Sequence, residues 1–370
     1  MTDSAESRAA RLLHLRAQTM SKGDPVALPL TMASMYHLPG DPAGFAQYGR
    51  FSNATWEHVE GALELLENAP SVIFPSGMGA IAAVFYSTLR QGDRVLLPSD
   101  GYYTTRVLAD RFLTPLGIAF DTRPTASFLD GGFSGYRMVF IESPSNPGLD
   151  ICDIAAAARQ AREAGALTVA DNTTMTPLGQ QPLDLGCDLV LASDTKAMNG
   201  HSDALFGHVA TRNEALLTAL KDWRKLSGAI PGPFEAWLVH RGMETLEVRF
   251  DRMCRTAGVI AERLAGHAAV RTIRYPGLPS DPGHALAASQ MSRHGFLIGL
   301  TLASEQAAER FISHCPMIQP ATSFGGVHTS AERRARWGDA VDPGFVRLSI
   351  GCEPAEELWH ALDEALNTAG

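Results

Sequence analysis

Short apolar runs alternate with longer stretches of helical periodicity between residues 55 and 225. Such runs, when turn residues bound them, are typical of buried strands. They occur at 72–74, 95–97, 138–141, 167–170 and 189–192. Between two of them, Asp153 is the predicted N-cap of a helix over residues 154–164, and Gly165 is its predicted stop. The alternation predicts an α/β fold in which helices cover both faces of a mostly parallel sheet.

The alternation ends at residues 228–233, a stretch rich in glycine and proline. A long helix is predicted next, over residues 234–264, with an interruption near Gly242. Beyond it the sequence predicts three strands and a closing helix, at 269–275, 296–302, 346–350 and 356–366. These elements indicate a smaller C-terminal α+β domain. We therefore expect an N-terminal helix and arm (1–45), a large domain (46–228) and a small domain (229–370).

The N-terminal part has too few apolar positions to form a core. Residues 1–20 contain one small apolar patch, Leu12, Leu13 and Leu15, which predicts a short amphipathic helix rather than a signal peptide. The arm that follows is rich in proline and glycine, and we expect it to lie on another surface, such as a second subunit. No apolar run approaches the roughly 18 residues that a membrane span needs.

Composition narrows the function classes. The 370 residues carry a formal net charge of −9, which argues against general nucleic-acid binding. Five scattered cysteines without a C-x-x-C pair favour free thiols and a cytoplasmic location over disulfides. The histidines show no metal-binding spacing, so no metal site is predicted.

An aspartate and a lysine follow two neighbouring predicted strands. Asp171 comes directly after the run at 167–170, and Lys196 lies four residues after the run at 189–192. In open α/β sheets, ligands bind beyond the carboxyl ends of the strands, so both side chains are expected in one crevice. A lysine amine can form a Schiff base with an aldehyde, and an aspartate can keep a pyridine nitrogen protonated. This pair is what a protein must supply to use pyridoxal 5′-phosphate (PLP).

Other strand ends carry weaker signals. The turn at 74–79 opens a helix whose free N–H groups can hold a phosphate, although it can equally be an ordinary strand–helix turn. The loop at 142–147 contains two prolines and can present Asn146 to a ligand. Tyr102 follows the run at 95–97 and can either stack on a planar ring or pack at the surface.

Taken in order, these motifs resemble the Cys/Met-metabolism family of fold-type I PLP enzymes. That family includes cystathionine γ-synthase, the cystathionine β- and γ-lyases and methionine γ-lyase. The resemblance runs from about residue 30 to the C-terminus. Its motifs are 48–50, 53–55, 76–78, Tyr102, 142–147, 171–173, 193–196, 199–203, 241–246, 275–278, 323–326 and 346–351.

The resemblance implies how the cofactor is held. Lys196 is expected to carry PLP as a Schiff base and then to remove the substrate Cα proton. Asp171 is expected to pair with the pyridine nitrogen. Tyr102 is expected to stack on the ring and to protonate the leaving sulfur. The groups expected to bind the phosphate are the Gly77 and Met78 backbone amides and the Ser193 and Thr195 hydroxyls.

The resemblance also implies a substrate clamp and a shared site. Arg347, with the Ser323 backbone and Asn146, is expected to bind the substrate α-carboxylate. Tyr48 and Arg50 are expected to reach the cofactor phosphate of a neighbouring subunit. The expected assembly is a homotetramer made of two dimers.

Some positions depart from the family pattern. His328 and Thr329 stand where many members have Glu-Ser, and in γ-acting members that acid reads the distal end of the substrate. Thr104 stands where methionine γ-lyases typically have a reactive cysteine. The charged stretch at 332–337 is predicted to be a solvated helix.

The function expected from these residues is PLP-dependent carbon–sulfur cleavage by γ- or β-elimination, with cystathionine γ-lyase as the first choice. Cystathionine β-lyase, cystathionine γ-synthase and methionine γ-lyase remain as alternatives. A nucleotide-dependent enzyme that uses the turn at 76–79 is weakened because the chain lacks G-x-G-x-x-G there. A catalytically silent scaffold is a third possibility.

Overall fold

The computed structural model describes residues 4–369. In that range the helices are α1 Ala5–Leu13, α2 Ala54–Glu67, α3 Gly77–Thr88, α4 Tyr103–Leu108, α5 Ile154–Glu163, α6 Thr176–Gly179, α7 Glu214–Ser227, α8 Pro233–Met243, α9 Leu246–Ala265, α10 His284–Gln290, α11 Glu305–His314 and α12 Ala355–Ala369. The strands are β1 Ser71–Phe74, β2 Arg94–Pro98, β3 Ala119–Arg123, β4 Met138–Glu142, β5 Leu167–Asp171, β6 Leu189–Ala192, β7 Gly207–Ala210, β8 Thr272–Arg274, β9 Leu297–Thr301, β10 Gln319–Pro320, β11 Ser330–Arg333 and β12 Phe345–Ser349.

The larger sheet has seven strands in the order β1-β7-β6-β5-β4-β2-β3. Only β7 runs against its neighbours β1 and β6, so the predicted mostly parallel sheet is confirmed. Successive residues of a strand face opposite sides. Phe140 of β4 accordingly packs in the cluster that includes α3 and α7, whereas Val139 and Ile141 pack with α5. Helices therefore cover both faces, as the alternating pattern predicted.

Two strands of this sheet were missed in the sequence. β3 is a partly exposed edge strand whose sequence, Ala-Phe-Asp-Thr-Arg, has no apolar run. β7 is fully buried, but it contains a glycine and a histidine. Because an apolar run was the signal used for a strand, neither segment produced it.

The smaller sheet has five strands in the order β10-β11-β12-β9-β8. β12 lies at its centre and pairs antiparallel with β9 and β11, and α9, α11 and α12 supply its apolar cover. The predicted strands at 296–302 and 346–350 correspond to β9 and β12. The one at 269–275 is too long, because β8 covers only Thr272–Arg274 and a turn from His267 to Val270 precedes it.

The predicted break in the long helix is real. α8 ends at Met243 and α9 begins at Leu246. A Cβ on Gly242 would lie 2.3 Å from the Asn199 carbonyl oxygen, so only glycine lets the loop after Lys196 approach this helix. α8 therefore packs directly against the loop after Lys196 at this glycine.

The predicted short N-terminal helix is present. α1 covers Ala5–Leu13 and a 3₁₀ turn follows at Arg16–Gln18, while residues 1–3 of that prediction lie outside the described range. The arm that follows has little regular structure and exposes apolar side chains such as Val26 (82% exposed) and Met35 (80%). None of the helices in residues 4–369 combines the length and apolarity that a membrane span requires. The three domain bounds remain predictions.

Candidate active site

A cavity of about 430 Å³ opens at the carboxyl ends of strands of the large sheet. The segments after β1, β2, β4, β5 and β6 line one side of it. Residues 322–324 and Arg347, from the smaller sheet and its loops, line the other side. Ten of the predicted site residues line this one cavity: Gly77, Met78, Tyr102, Asn146, Asp171, Ser193, Thr195, Lys196, Ser323 and Arg347.

Lys196 lies in the turn after β6, with its side chain mostly withdrawn from solvent. Its Nζ donates a hydrogen bond to Ser323 Oγ at 2.7 Å and lies 5.0 Å from the centre of the Phe324 ring. Burial lowers the pKa of Lys196 to about 8, and the positive charge of Arg347 acts in the same direction. At pH 7 about a tenth of this amine is therefore neutral, far more than for an ordinary lysine, and the neutral form is the nucleophile.

Asp171 ends β5 and is buried. Its Oδ1 accepts hydrogen bonds from the Thr173 backbone N–H at 3.0 Å and from Thr173 Oγ1 at 2.5 Å. Burial raises the pKa of Asp171, while these hydrogen bonds and the charges of His208 and Lys196 oppose that rise. Thr173 Oγ1 also accepts from the Ser193 N–H at 2.9 Å. Thr173, whose role the sequence analysis missed, thus joins the acid to the lysine turn.

The predicted phosphate cradle forms where α3 begins. Ser76 is the N-cap, and its Oγ accepts from the Gly79 N–H at 3.0 Å. A Cβ on Gly77 would lie 2.6 Å from Ser193 Cβ, so the turns after β1 and β6 touch here and only glycine fits. The Thr195 hydroxyl, by contrast, is already bonded to Phe206, whose N–H it accepts at 3.0 Å.

Glu142, at the end of β4, ties together two predicted site residues. Its Oε2 accepts from the Tyr102 N–H at 2.7 Å and its Oε1 from the Asn146 N–H at 2.9 Å. Burial and the nearby charge of Asp171 raise the pKa of Glu142 well above its ordinary value. Glu142 belonged to a recognised motif, but nothing local in the sequence indicated that it holds Tyr102.

Arg347 lies on β12 and is 2% exposed. It donates from Nη1 to Asn146 Oδ1 at 2.6 Å and from Nη2 to the Thr322 carbonyl at 2.9 Å. Burial lowers the pKa of Arg347 to about 10, with Arg334 acting in the same direction. The three residues expected to bind a substrate carboxylate, Asn146, Ser323 and Arg347, therefore line the same cavity.

The prediction of a solvated helix at 332–337 is wrong. Glu332 belongs to β11 and is 1% exposed, and a 3₁₀ turn follows it. Its Oε2 accepts from Arg334 Nη1 at 2.8 Å and from Arg347 Nη2 at 3.1 Å, and Arg334 Nε donates to Asp339 Oδ2 at 2.7 Å. We call these four residues the arginine cluster. Pairing between the charges, rather than solvation, accounts for this stretch.

Two side chains in or next to the arginine cluster reach the cavity, whereas the nearby His328 does not. Arg334 and Trp337 line it. His328, which stands at the departure from the family pattern, is exposed and does not line it. Arg334 is therefore a second cation facing the site that the sequence analysis did not identify.

Tyr48 and Arg50 lie on the N-terminal arm and do not line the cavity of their own chain. Arg50 donates from Nη1 to the Lys225 carbonyl at 2.6 Å, and its guanidinium lies 5.4 Å from the centre of the Tyr48 ring. Tyr48 is 44% exposed. The expectation that both reach a neighbouring subunit stays a prediction.

Comparisons with known proteins extend over nearly the whole chain. The family model for Cys/Met metabolism PLP-dependent enzymes matches residues 9–367. A Streptomyces coelicolor protein named "Putative cystathionine gamma-lyase" is 45% identical over 94% of this chain and 90% of its own. The L-methionine gamma-lyase of Pseudomonas deceptionensis is 35% identical over 97% and 96%. The crystal structure of cystathionine gamma synthase from Xanthomonas oryzae pv. oryzae in complex with cystathionine has a TM-score of 0.93 and 34% identity, covering 98% of both chains.

Proposed function

The chain belongs to the Cys/Met metabolism family of PLP-dependent enzymes, and within that family we propose that it is a cystathionine γ-lyase. Members of this family are carbon–sulfur lyases or synthases, and their cofactor is PLP. The proposed reaction converts cystathionine and water to cysteine, 2-oxobutanoate and ammonia. One cavity that combines Lys196, Asp171 and Arg347 supports PLP chemistry on an amino acid, and the 45% identity to a protein named "Putative cystathionine gamma-lyase" supports this choice within the family.

The side chains present fit PLP. Gly77, whose missing Cβ leaves room for Ser193, opens a helix N-terminus beside the Ser193 hydroxyl, a suitable place for a phosphate. Asp171 would hold the pyridine nitrogen, Tyr102 would cover the ring, and Lys196 would hold the aldehyde carbon. Bound there, PLP supplies an electron sink for the charge that develops at the substrate Cα.

The substrate is oriented by the arginine wall. Arg347 presents a guanidinium fork, and Asn146 fixes one of its arms. A charge-assisted hydrogen bond from this guanidinium to the α-carboxylate would set the direction of the Cα–H bond. Because Lys196 lies in the same cavity, that bond can be aimed at its amine.

Proton transfers are then assigned to two side chains. Lys196 Nζ accepts the Cα proton, since its lowered pKa of about 8 keeps a base available near neutral pH. Ser323 Oγ, 2.7 Å away, holds the amine in the cavity. With PLP bound, Lys196 Nζ would pass the Cα proton to the cofactor and would then accept the Cβ proton. Tyr102 Oη would donate its proton to the sulfur that leaves the γ-carbon.

A substrate panel with product identification by mass tests the proposal. The expected result is cysteine and 2-oxobutanoate from cystathionine. Homocysteine and pyruvate from cystathionine would instead identify a β-lyase. Methanethiol from methionine would favour a methionine γ-lyase, and reaction only of an activated homoserine with cysteine would favour a γ-synthase. Each of these last three outcomes would overturn the γ-lyase assignment.

The proposed assembly is a homotetramer in which Tyr48 and Arg50 complete the site of a neighbouring subunit. Several apolar side chains of the arm are exposed in the single chain, and contact with a neighbouring subunit would bury them. They are Val26, Met32, Met35 and Phe45. Sedimentation velocity should give four chains per particle, and a monomer that is fully active would contradict the shared site.

A further inference from the structure

A sealed cluster of three charged residues lies directly behind the lysine turn. His208 Nδ1 is 2.8 Å from Asp194 Oδ1, and His208 Nε2 is 3.1 Å from Glu67 Oε1. All three side chains are buried, with 0% exposure. We call them the His208 cluster. None of them lines the cavity, so the mechanism above does not use them.

The geometry fits a positively charged histidine. Each ring nitrogen faces a carboxylate, and an ionised carboxylate can only accept hydrogen bonds. Both nitrogens must then carry a proton. Burial alone lowers the pKa of His208, but the charges and hydrogen bonds of Asp194 and Glu67 raise it to about 10. The cluster is thus an imidazolium between two carboxylates over the neutral pH range.

The cluster connects three elements at the site. Asp194 lies in the turn after β6, two residues before Lys196, and its carbonyl accepts from the Asn199 N–H at 2.9 Å. His208 lies on β7 opposite Ala192, the last residue of β6. Glu67 is the last residue of α2. The imidazolium therefore ties the lysine turn to a strand and a helix that do not themselves line the cavity at these positions.

Folding stability alone does not explain why these three charged residues are buried. Buried ion pairs are often no more stable than apolar packing of the same volume. Here, in addition, Glu67 Oε2 is buried without a hydrogen-bond partner, and such an atom costs free energy. A role at the neighbouring site accounts for this arrangement better than a role in packing.

The charge of His208 also acts on Asp171. Among nearby charges, it is the strongest that favours the ionised form of Asp171, ahead of Lys196. Glu142 acts against it from β4. Removing the imidazolium would leave Asp171 buried with Lys196 as its main cationic neighbour.

We propose that His208 is a positioning residue, which fixes the lysine turn through Asp194 and adds a buried positive charge near Asp171. The inference rests on the roles proposed above for Lys196 and Asp171. Because His208 does not touch substrate, its loss should affect cofactor affinity and turnover but leave substrate affinity nearly unchanged.

The test compares His208→Gln with His240→Gln, another buried histidine, which lies on α8 and does not line the cavity. Apoprotein is titrated with PLP by absorbance, and kcat and KM are measured on the loaded enzyme. For His208→Gln we expect the PLP dissociation constant to rise about tenfold and kcat to fall about tenfold, each equivalent to roughly 1.4 kcal/mol. KM should stay within about twofold, and His240→Gln should match wild type in all three.

Asp194→Asn is the second variant, in case His208→Gln does not fold. It keeps the size of the side chain and removes the charge that fixes the imidazolium, so we expect the same changes at about threefold. If the variants melt earlier but keep PLP affinity and kcat within twofold, the cluster is only structural and the inference is overturned. If wild type binds PLP but cleaves no sulfur amino acid, the proposed function fails, while PLP affinity still decides the role of His208.

Discussion

Two buried charge clusters lie near Lys196, and they differ in whether their side chains reach the cavity. In the His208 cluster one cation is held between two carboxylates, and no atom reaches the cavity. In the arginine cluster two guanidiniums share Glu332, and both Arg334 and Arg347 line the cavity. The first cluster can therefore only hold other groups in place, whereas the second has donors available for an anionic ligand.

Buried charges therefore have two different roles at this site, which are to fix the backbone and to bind a ligand. A fully paired cluster fixes the backbone that carries a reactive group. A cluster with spare guanidinium donors can bind an anionic ligand, because these donors pair well with a carboxylate. Substitutions on the two sides should consequently change different measured quantities.

Substitution of Lys196, which lies near both clusters, should have the largest effect on activity. Lys196→Ala removes both the group that would hold the cofactor and the base, so we expect turnover to fall at least about a thousandfold. Steady-state assay of the loaded protein measures it. Lys221→Ala, on the exposed side of α7, is the control and should keep full activity. Turnover retained by Lys196→Ala would remove this residue from the mechanism.

On the His208 side, the expected effect is on stability. Breaking a buried ion pair from one side costs about 3–5 kcal/mol, so His208→Gln apoprotein should lose that much in urea unfolding at pH 6. Arg255→Gln breaks an exposed ion pair with Asp251 and should lose less than about 1 kcal/mol.

The pH dependence of this loss has a defined sign. The pKa of His208 is raised from 6.5 to about 10 in the folded protein. The stabilisation is therefore fully present below pH 6.5 and disappears as the pH rises through 10. The difference between wild type and His208→Gln should narrow over that interval, and a difference that widens would contradict a charged histidine.

On the arginine side, the expected effect is on substrate affinity. Arg347→Lys keeps the charge but loses the fork that Asn146 and Glu332 hold. We expect kcat/KM for cystathionine to fall about thirtyfold, mostly through KM, on the basis of about 2 kcal/mol for a buried charged hydrogen bond. PLP affinity should not change. The opposite pattern, with weakened PLP binding and an unchanged KM, would reverse the roles assigned to the two clusters.

The smallest effect concerns the titration of Lys196. Its pKa is lowered to about 8, so the rate at which apoprotein captures PLP should rise with pH through that value. The charge of Arg334 contributes to the lowering, so Arg334→Gln should move the midpoint upward by less than one pH unit. Stopped-flow absorbance measures both profiles. A midpoint near 10.5 in wild type would show that the amine is not perturbed.

The sequence predicted the parts of the site that follow apolar strands. Asp171 and Lys196 could be identified because each comes shortly after a buried run, where ligands of α/β sheets bind. The charged clusters could not be predicted in this way. His208 meets Glu67 across 141 positions of the chain, and Glu332 meets Arg347 across 15.

Pairing at such distances leaves no local pattern. A charged stretch such as 332–337 has the same composition whether water or buried partners neutralise its charges. For the same reason β7 was missed, because a histidine inside a strand appears polar until its two carboxylate partners are known.

The most direct test of the central claim is reduction of the PLP-loaded protein with borohydride, followed by digestion and peptide mass mapping. The account predicts one modified peptide, which carries the reduced cofactor on Lys196. A label on another lysine, or no label on protein that has taken up PLP, would contradict it.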